Sequence, residues 1–367
     1  MFTRRGTADV GWVAPLYERE QVNRAGRVRV DPTATDDARE AVLSIINNWR
    51  SSHSFPLNSM QMTLRHRARK VDKRTFIAQR LKRLPAIEAK LRRFPTMRLS
   101  SMQDIGGCRA VFQTVSRVEE VAKLYRQSNA KNPTGRNEFV SEDGYIAKPK
   151  EDGYRGIHLV YRYHSEARKH QAFNGLKIEI QLRSRLQHIW ATAVETVGTF
   201  TGQALKSDMG EEKWLRFFTL MGGVISAREN RPIVPGTPVD PKELHSELRK
   251  LTQELKVRRT LEAWRSAVTL PAVADPRAYF FLLHLDPDAK RLHVAEFKLG
   301  ELLKAQEAYA DTEKLVAAQP GTQAVLVSVE DLSLLRRAYP NYFLDTRAFL
   351  NEVRRATTYS NRSGPRS

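Results

Sequence analysis

Seven residues, Lys177 to Arg183, alternate strictly between polar and apolar side chains. In an extended strand this puts Lys177, Glu179, Gln181 and Arg183 on one face and Ile178, Ile180 and Leu182 on the other. The β-branched residues favour a strand, so the polar face must meet water or a ligand. A carboxylate, an amide and a guanidinium then stand in one row, able to meet a polar ligand. Two other segments carry similar potential. In Met102 to Phe112, Asp104 precedes Gly106, Gly107 and an apolar run. The glycines admit close approach, and Asp104 stands at the mouth of a strand, where a metal could be held. In Asp152 to His158, glycines flank Tyr154 and Arg155 before His158, bringing an aromatic ring, a guanidinium and an imidazole around a bend. A tyrosine so placed can stack on a base.

These segments need a scaffold. The spacing predicts an irregular lead-in over residues 1–35, a helix over Ala38 to Trp49, and more helix from Asn58 to about Arg93. A strand follows at Cys108 to Thr114, then a helix over Ser116 to Gln127 and a polar loop from Asn129 to Lys150. Strands are expected at Gly156 to His164 and Gly175 to Arg183, then a helix that Ser184 can cap. Helices over Glu211 to Glu229 and Pro241 to Val268 flank a break at Pro232, Pro235, Gly236 and Pro238. From Asp275 a second unit is expected, with strands at Tyr279 to Leu285, Arg291 to Phe297 and Ala324 to Val329, a helix over Leu302 to Ala317, and one or two closing helices. The fold class is α/β (α+β): a mixed β-sheet domain flanked by helices over residues 36–230, linker and helices at 231–274, a smaller C-terminal α/β domain at 275–356, and a disordered tail at 357–367.

The chain has 367 residues and a net charge of +20, which favours partners carrying phosphate. Between Arg65 and Arg93, twelve lysines and arginines face two acidic residues, a candidate polyphosphate wall. A single cysteine, Cys108, leaves no internal disulfide and reads as a small core residue in a reducing, cytoplasmic setting. No run is long and apolar enough to span a membrane.

The order of motifs resembles the synthetase domain of the RelA/SpoT family, the alarmone synthetases. The resemblance is carried by Arg80-Leu81-Lys82, Lys90-Leu91, Asp104 to Arg109, Gly153 to His158, Glu179-x-Gln181-x-Arg183 and Trp190-Ala191. It implies a nucleotidyltransferase-like fold and transfer of the β,γ-pyrophosphate of ATP to the ribose 3′-hydroxyl of GDP or GTP, giving (p)ppGpp, with Mg²⁺. On this resemblance Asp104 and Glu179 are the catalytic carboxylates and metal ligands. Arg80 and Arg109 sandwich the adenine, and Lys82 and Lys90 hold phosphates. Lys150, Tyr154, His158, Gln181 and Arg183 line the acceptor pocket, with Tyr154 stacked on the base. No histidine is followed by aspartate, so the hydrolase signature of long members is missing from this sequence. Glu195 is followed by Thr196 and no Tyr-Lys pair follows, a departure at positions that bear on the acceptor.

A toxic subgroup of the family pyrophosphorylates the 3′-CCA end of tRNA, and some members are restrained by a C-terminal Tyr-x-x-Tyr element; Tyr339-Pro340-Asn341-Tyr342 has that form. The +20 charge suits a tRNA acceptor better than a nucleotide. Further partners left open are a homo-oligomer and a regulatory protein bound by the C-terminal unit. A non-catalytic nucleic-acid binding protein is a third reading, disfavoured because both carboxylates and both adenine-facing arginines are present.

Overall fold

The computed structural model describes residues 11–131, 137–201, 212–265, 275, 277–286, 289, 291–317, 322–329, 332–343 and 346–358. Its core is one mixed sheet flanked by helices. The N-terminal part of the chain contributes β1 (Phe76–Leu81), β2 (Gly106–Phe112), β3 (Asn137–Gly144), β4 (Ile157–Tyr163) and β5 (Lys177–Ser184). Three strands from the C-terminal part, β6 (Ala278–Asp286), β7 (Arg291–Lys298) and β8 (Gln323–Ser328), continue the same sheet, in the order β3-β4-β5-β2-β1-β8-β6-β7. β2 and β5 are parallel, and the other pairs are antiparallel. The seam between the two parts is β1 with β8, where Gln79 faces Ser328 and Arg80 faces Val327.

One face of the sheet is covered by N-terminal helices. They are α1 (Arg19–Val30), α2 (Asp36–Ala41), α3 (Leu43–Ser52), α4 (Ser54–Val71), α5 (Leu84–Arg93) and α6 (Val115–Lys131). Ile178, Ile180 and Leu182 point into this core with Ile77, Cys108, Ala110 and Leu64. Burial pushes the Cys108 thiol far above its ordinary pKa, in keeping with an inert packing residue. The opposite face of β1 and β2, through Phe76, Ala78 and Val111, packs on Phe281, Leu283, Tyr339 and Tyr342. A helical cluster closes one end: α7 (Arg185–Thr201), α8 (Glu212–Arg228), α9 (Pro241–Glu254), α10 (Val257–Arg265) and α13 (Arg347–Thr357). Helix α11 (Leu302–Ala317) packs on β6 and β8, and α12 (Leu332–Ala338) precedes the Tyr339 turn.

Three expectations are corrected. The lead-in is not irregular throughout, because Glu18 and Gln21 form a reciprocal cap that starts α1. Its buried stripe, Val22, Asn23, Ala25 and Gly26, is too polar and small to register as apolar periodicity. The helix expected from Asn58 to Arg93 is broken by β1: Asp72 ends α4 and accepts from the backbone N–H of Arg74 and Gln113. Phe76 to Leu81 are then drawn into a strand by pairing on both sides. The polar loop contains β3, a strand exposed enough to carry charged residues on its outer face. The tail beyond residue 358 and residues 266–274 of the linker lie outside the described residues. Among the described residues no helix is long and apolar enough to cross a membrane.

Candidate active site

Strand register lays the polar residues out in two rows across the sheet. Paired residues share a face, so Arg109 of β2, Gln181 of β5 and His158 of β4 form one row. The other runs from Arg80 of β1 through Gly107 to Glu179. Gly107 matters here because it has no side chain: a Cβ there would stand 4.0 Å from Glu179 Oε2, narrowing the floor between Arg80 and the carboxylate.

Three of these residues, with Arg183 and Tyr154, close a hydrogen-bonded circuit of five side chains. Arg183 Nη2 donates to the Tyr154 hydroxyl and to Gln181 Oε1, both at 2.9 Å. Gln181 Nε2 donates to Glu179 Oε2 at 2.6 Å, and Glu179 Oε1 meets His158 Nδ1 at 2.8 Å. His158 Nε2 meets the Tyr154 hydroxyl at 2.5 Å, completing the ring. Burial works against the charged form of His158, but Tyr154 and Glu179 outweigh it and raise the imidazole to about 9. Burial likewise opposes ionisation of Tyr154, yet Arg183 and His158 bring its hydroxyl down to about 8. Glu179 is held below the usual carboxylate range: His158 and Gln181 prevail over burial and over the nearby charge of Asp104.

Asp104 lies on the loop before β2, beside the end of β1, because the Lys82 N–H donates to the Ile105 carbonyl at 2.8 Å. Its Oδ2 takes Lys82 Nζ at 2.6 Å and its Oδ1 takes Lys90 Nζ, from α5, at 3.0 Å. The two ammonium groups overcome burial and hold Asp104 at about 2. Two ionised carboxylates that feel one another's charge suit a hard cation, and Mg²⁺ commonly takes one or two carboxylates with substrate phosphates supplying the rest. Among the described residues no group of three or more His, Cys, Asp or Glu gathers as a metal site, on this face or elsewhere, so substrate oxygens would have to complete the coordination.

Tyr154 is positioned by glycine. Gly153 has φ +92°, which L side chains rarely adopt, and Gly222 of α8 lies so close that a Cβ on it would be 2.8 Å from Gly153 Cα. The Tyr154 ring therefore enters an aromatic group with Tyr145, His158 and Trp190 at centroid distances of 5.4 to 6.3 Å. Lys150 Nζ stands 4.3 Å from the Tyr145 centroid and 5.6 Å from that of Tyr154. Tyr145 was not singled out from the sequence; its position seven residues before Asp152, in a polar stretch, gave no periodic signal.

Arg80 and Arg109 share a face on adjacent strands, and the Tyr339 turn covers them. The Arg109 guanidinium lies 5.4 Å from the Tyr339 centroid, and its Nη2 donates to the Ala338 carbonyl at 3.0 Å. Burial with Arg183 and Arg80 nearby lowers Arg109 to about 10. Arg80 stays firmly charged, because Glu195, Tyr342 and Tyr339 outweigh its burial. Tyr339 and Tyr342 are also core residues, 2% and 1% exposed. The structure thus gathers all eleven residues singled out in the sequence around one sheet face and its rim.

Residues 79–198 match the family model described as a region found in RelA / SpoT proteins. A GTP pyrophosphokinase, YjbM of Bacillus subtilis strain 168, is 34% identical over 124 residues, which are 32% of this chain and 53% of the relative; the chain thus spans about half the length of that relative. Among solved structures, a GTP pyrophosphokinase family protein from Streptococcus pneumoniae has 22% identity over 48% of this chain and 86% of its own, with a TM-score of 0.38. Small alarmone synthetase 1 of Bacillus subtilis, bound to its product pppGpp, has 19% identity over 57% and 94%, with a TM-score of 0.35. Every residue of the circuit, the Lys82–Asp104–Lys90 cluster and the Arg80 and Arg109 pair lies between residues 79 and 198, the stretch that matches the region found in RelA / SpoT proteins.

Proposed function

We propose that this chain is an ATP-dependent pyrophosphokinase of the RelA/SpoT type, with GDP or GTP as acceptor. The observation that carries the reading is the pair of ionised carboxylates, Asp104 bound by two lysines and Glu179 bound by His158 and Gln181, on one sheet face. In this reading the acceptor's 3′-hydroxyl oxygen bonds to the β-phosphorus of ATP. The bond from that phosphorus to the oxygen shared with the α-phosphate breaks, and AMP leaves. Glu179 orients the hydroxyl and receives its proton, while Lys82 and Lys90 exchange Asp104 for phosphate oxygens. Mg²⁺, held by Asp104 and Glu179, would neutralise the triphosphate. Arg80 and Arg109 would take the adenine between planar guanidinium groups, and Tyr154 with Lys150, His158, Gln181 and Arg183 would form the acceptor side.

A second reading is supported by two observations: the charge of +20, and the Tyr339 turn lying on Arg109. There the acceptor is the 3′ end of tRNA, and the C-terminal part restrains the enzyme by occupying the place of the adenine. One experiment tests both. Protein and Mg²⁺ are incubated with γ-labelled ATP and, in parallel, GDP, GTP and deacylated tRNA. Label on guanosine nucleotides is the expected result; label on tRNA alone would replace it with the second reading. If no acceptor is labelled by either the native chain or a Tyr339→Ala variant, both readings fail.

A further inference from the structure

Away from the Lys82–Asp104–Lys90 cluster, a cleft of about 1220 Å³ opens between the RelA/SpoT part and the C-terminal helices. One wall is formed by the end of α4, the starts of β1 and α7, and the end of β2; the other by α12, the turn after it and α13. Among the described residues nine arginines or lysines line it against a single carboxylate, Glu352. That carboxylate is already engaged, by Arg228 and by Arg355 at 3.0 Å. Lys73, Arg74 and Arg185 project from the first wall and are exposed. Across from them Arg337 lies 5.0 Å from the Phe76 centroid, and its carbonyl accepts from buried His188 at 3.0 Å. Burial and the neighbouring Arg109 and Arg183 hold His188 far below its ordinary pKa, so the floor adds no charge of its own. The remaining floor is neutral: Thr75, Val111, Thr192 and Thr196.

Such an arrangement costs free energy in the folded protein, because like charges from two parts of the chain are brought together around one hollow. A bound anion would remove that cost and attract both walls at once. A row of exposed cations along a flat surface would suit a nucleic-acid backbone. Here the cations ring a concave volume of the size that takes a small ligand. We propose that this cleft is a second phosphate site, which binds a small polyphosphate anion and thereby secures α12 and α13 to the RelA/SpoT domain. The inference does not depend on which acceptor the catalytic face uses.

The test is calorimetric titration of the full chain with inorganic triphosphate in the presence of a metal chelator, which disfavours loading of the candidate nucleotide site, with thermal melts alongside. The same titrations are run on Lys90→Ala, on Arg74→Glu/Arg185→Glu, and on Arg337→Glu. The expected result is one saturable site and a raised melting temperature, both kept in Lys90→Ala. Affinity should fall at least about tenfold in each charge-reversal variant, as expected for loss of charge-assisted contacts. Ligand-free melts of the charge-reversal variants should match or exceed the wild type, which separates lost binding from lost folding. Replacing triphosphate with ATP, GTP or longer inorganic polyphosphate identifies the source of the anion. No saturable binding, binding untouched by the charge reversals, or binding lost in Lys90→Ala would overturn the proposal. So would a short RNA that binds through Arg74 and Arg185 when triphosphate does not.

Discussion

The Tyr339 hydroxyl donates to the carbonyl of Gln79 at 3.0 Å, across 260 residues of sequence. Gln79 is the β1 residue beside Arg80, and its side-chain Nε2 also donates to Ser328 of β8 at 3.2 Å. The tyrosine that lies on Arg109 is therefore fastened to the strand that carries Arg80, and that strand is the seam between the two parts of the sheet.

Removing the ring should expose both arginines. Tyr339→Ala is expected to raise pyrophosphate transfer at least about tenfold if the turn restrains the domain. It should also cost about 3 to 5 kcal/mol of stability, as for loss of a large buried aromatic side chain. Tyr339→Phe keeps the ring, loses only the hydroxyl bond, and should cost about 1 kcal/mol with activity little changed. Rates with labelled ATP and chemical denaturation check both. Equal rates in wild type and Tyr339→Ala would remove the restraint. Deleting the C-terminal part from Asp275 is a poorer test, because it strips β8 from β1 and leaves an unpaired edge.

Asp104 should be essential to transfer and also to local electrostatics. Asp104→Ala is expected to lower the rate by about a hundred- to a thousandfold, on the scale of losing one preorganised electrostatic group. It also leaves Lys82 and Lys90 together without a counter-charge. The carboxyl is about 2 when folded and 3.8 in its ordinary state. Its contribution is therefore present above about pH 4 and is lost as pH falls through 2, amounting to about 2 kcal/mol. Acid denaturation of wild type and Asp104→Asn should converge at the low end of that window. Curves that stay parallel would show that the lysine contacts add no stability.

How much of this was legible depends on which forces shaped each element. β5 could be read directly, since alternation alone sets Ile178, Ile180 and Leu182 inside and Glu179 on the other face. β1 could not, because Phe76 to Leu81 is buried on both sides and shows no polar alternation; its form is set by partners at Val111 to Gly106 and at Ser328 and Val327. The motif residues were visible by type and spacing. Their closure into a circuit was not, because it requires the register of β4 on β5.

His158 should titrate in the alkaline range. Its imidazole is raised to about 9 from 6.5, so the stability it contributes is fully present below about pH 6.5 and is lost as pH rises through 9. Since Tyr154 is lowered to about 8, the two protons leave as a coupled pair. Imidazole resonances followed by NMR should move in this window. Glu179→Gln removes a charge that favours the imidazolium and should shift the transition to lower pH. An imidazole that titrates near 6.5 in the wild type would contradict the circuit as drawn.

The bend before Tyr154 offers a test of positioning apart from chemistry. Gly222→Ala places a methyl group 2.8 Å from Gly153 Cα and 2.9 Å from its carbonyl oxygen, both backbone atoms that cannot swing aside. Overpacking of this kind costs about 1 to 3 kcal/mol, and relief requires α8 or the bend to move. Movement of the bend shifts Tyr154, whose hydroxyl links Arg183 to His158. The expected outcome is a lowered melting temperature with a raised KM for the acceptor and an unchanged KM for ATP. Gly223→Ala, one residue on, meets the Thr237 side chain at 3.2 Å instead and leaves the bend alone, so it should lower stability without moving the acceptor KM. If both variants change acceptor KM equally, the effect belongs to α8 as a whole and not to the placement of Tyr154.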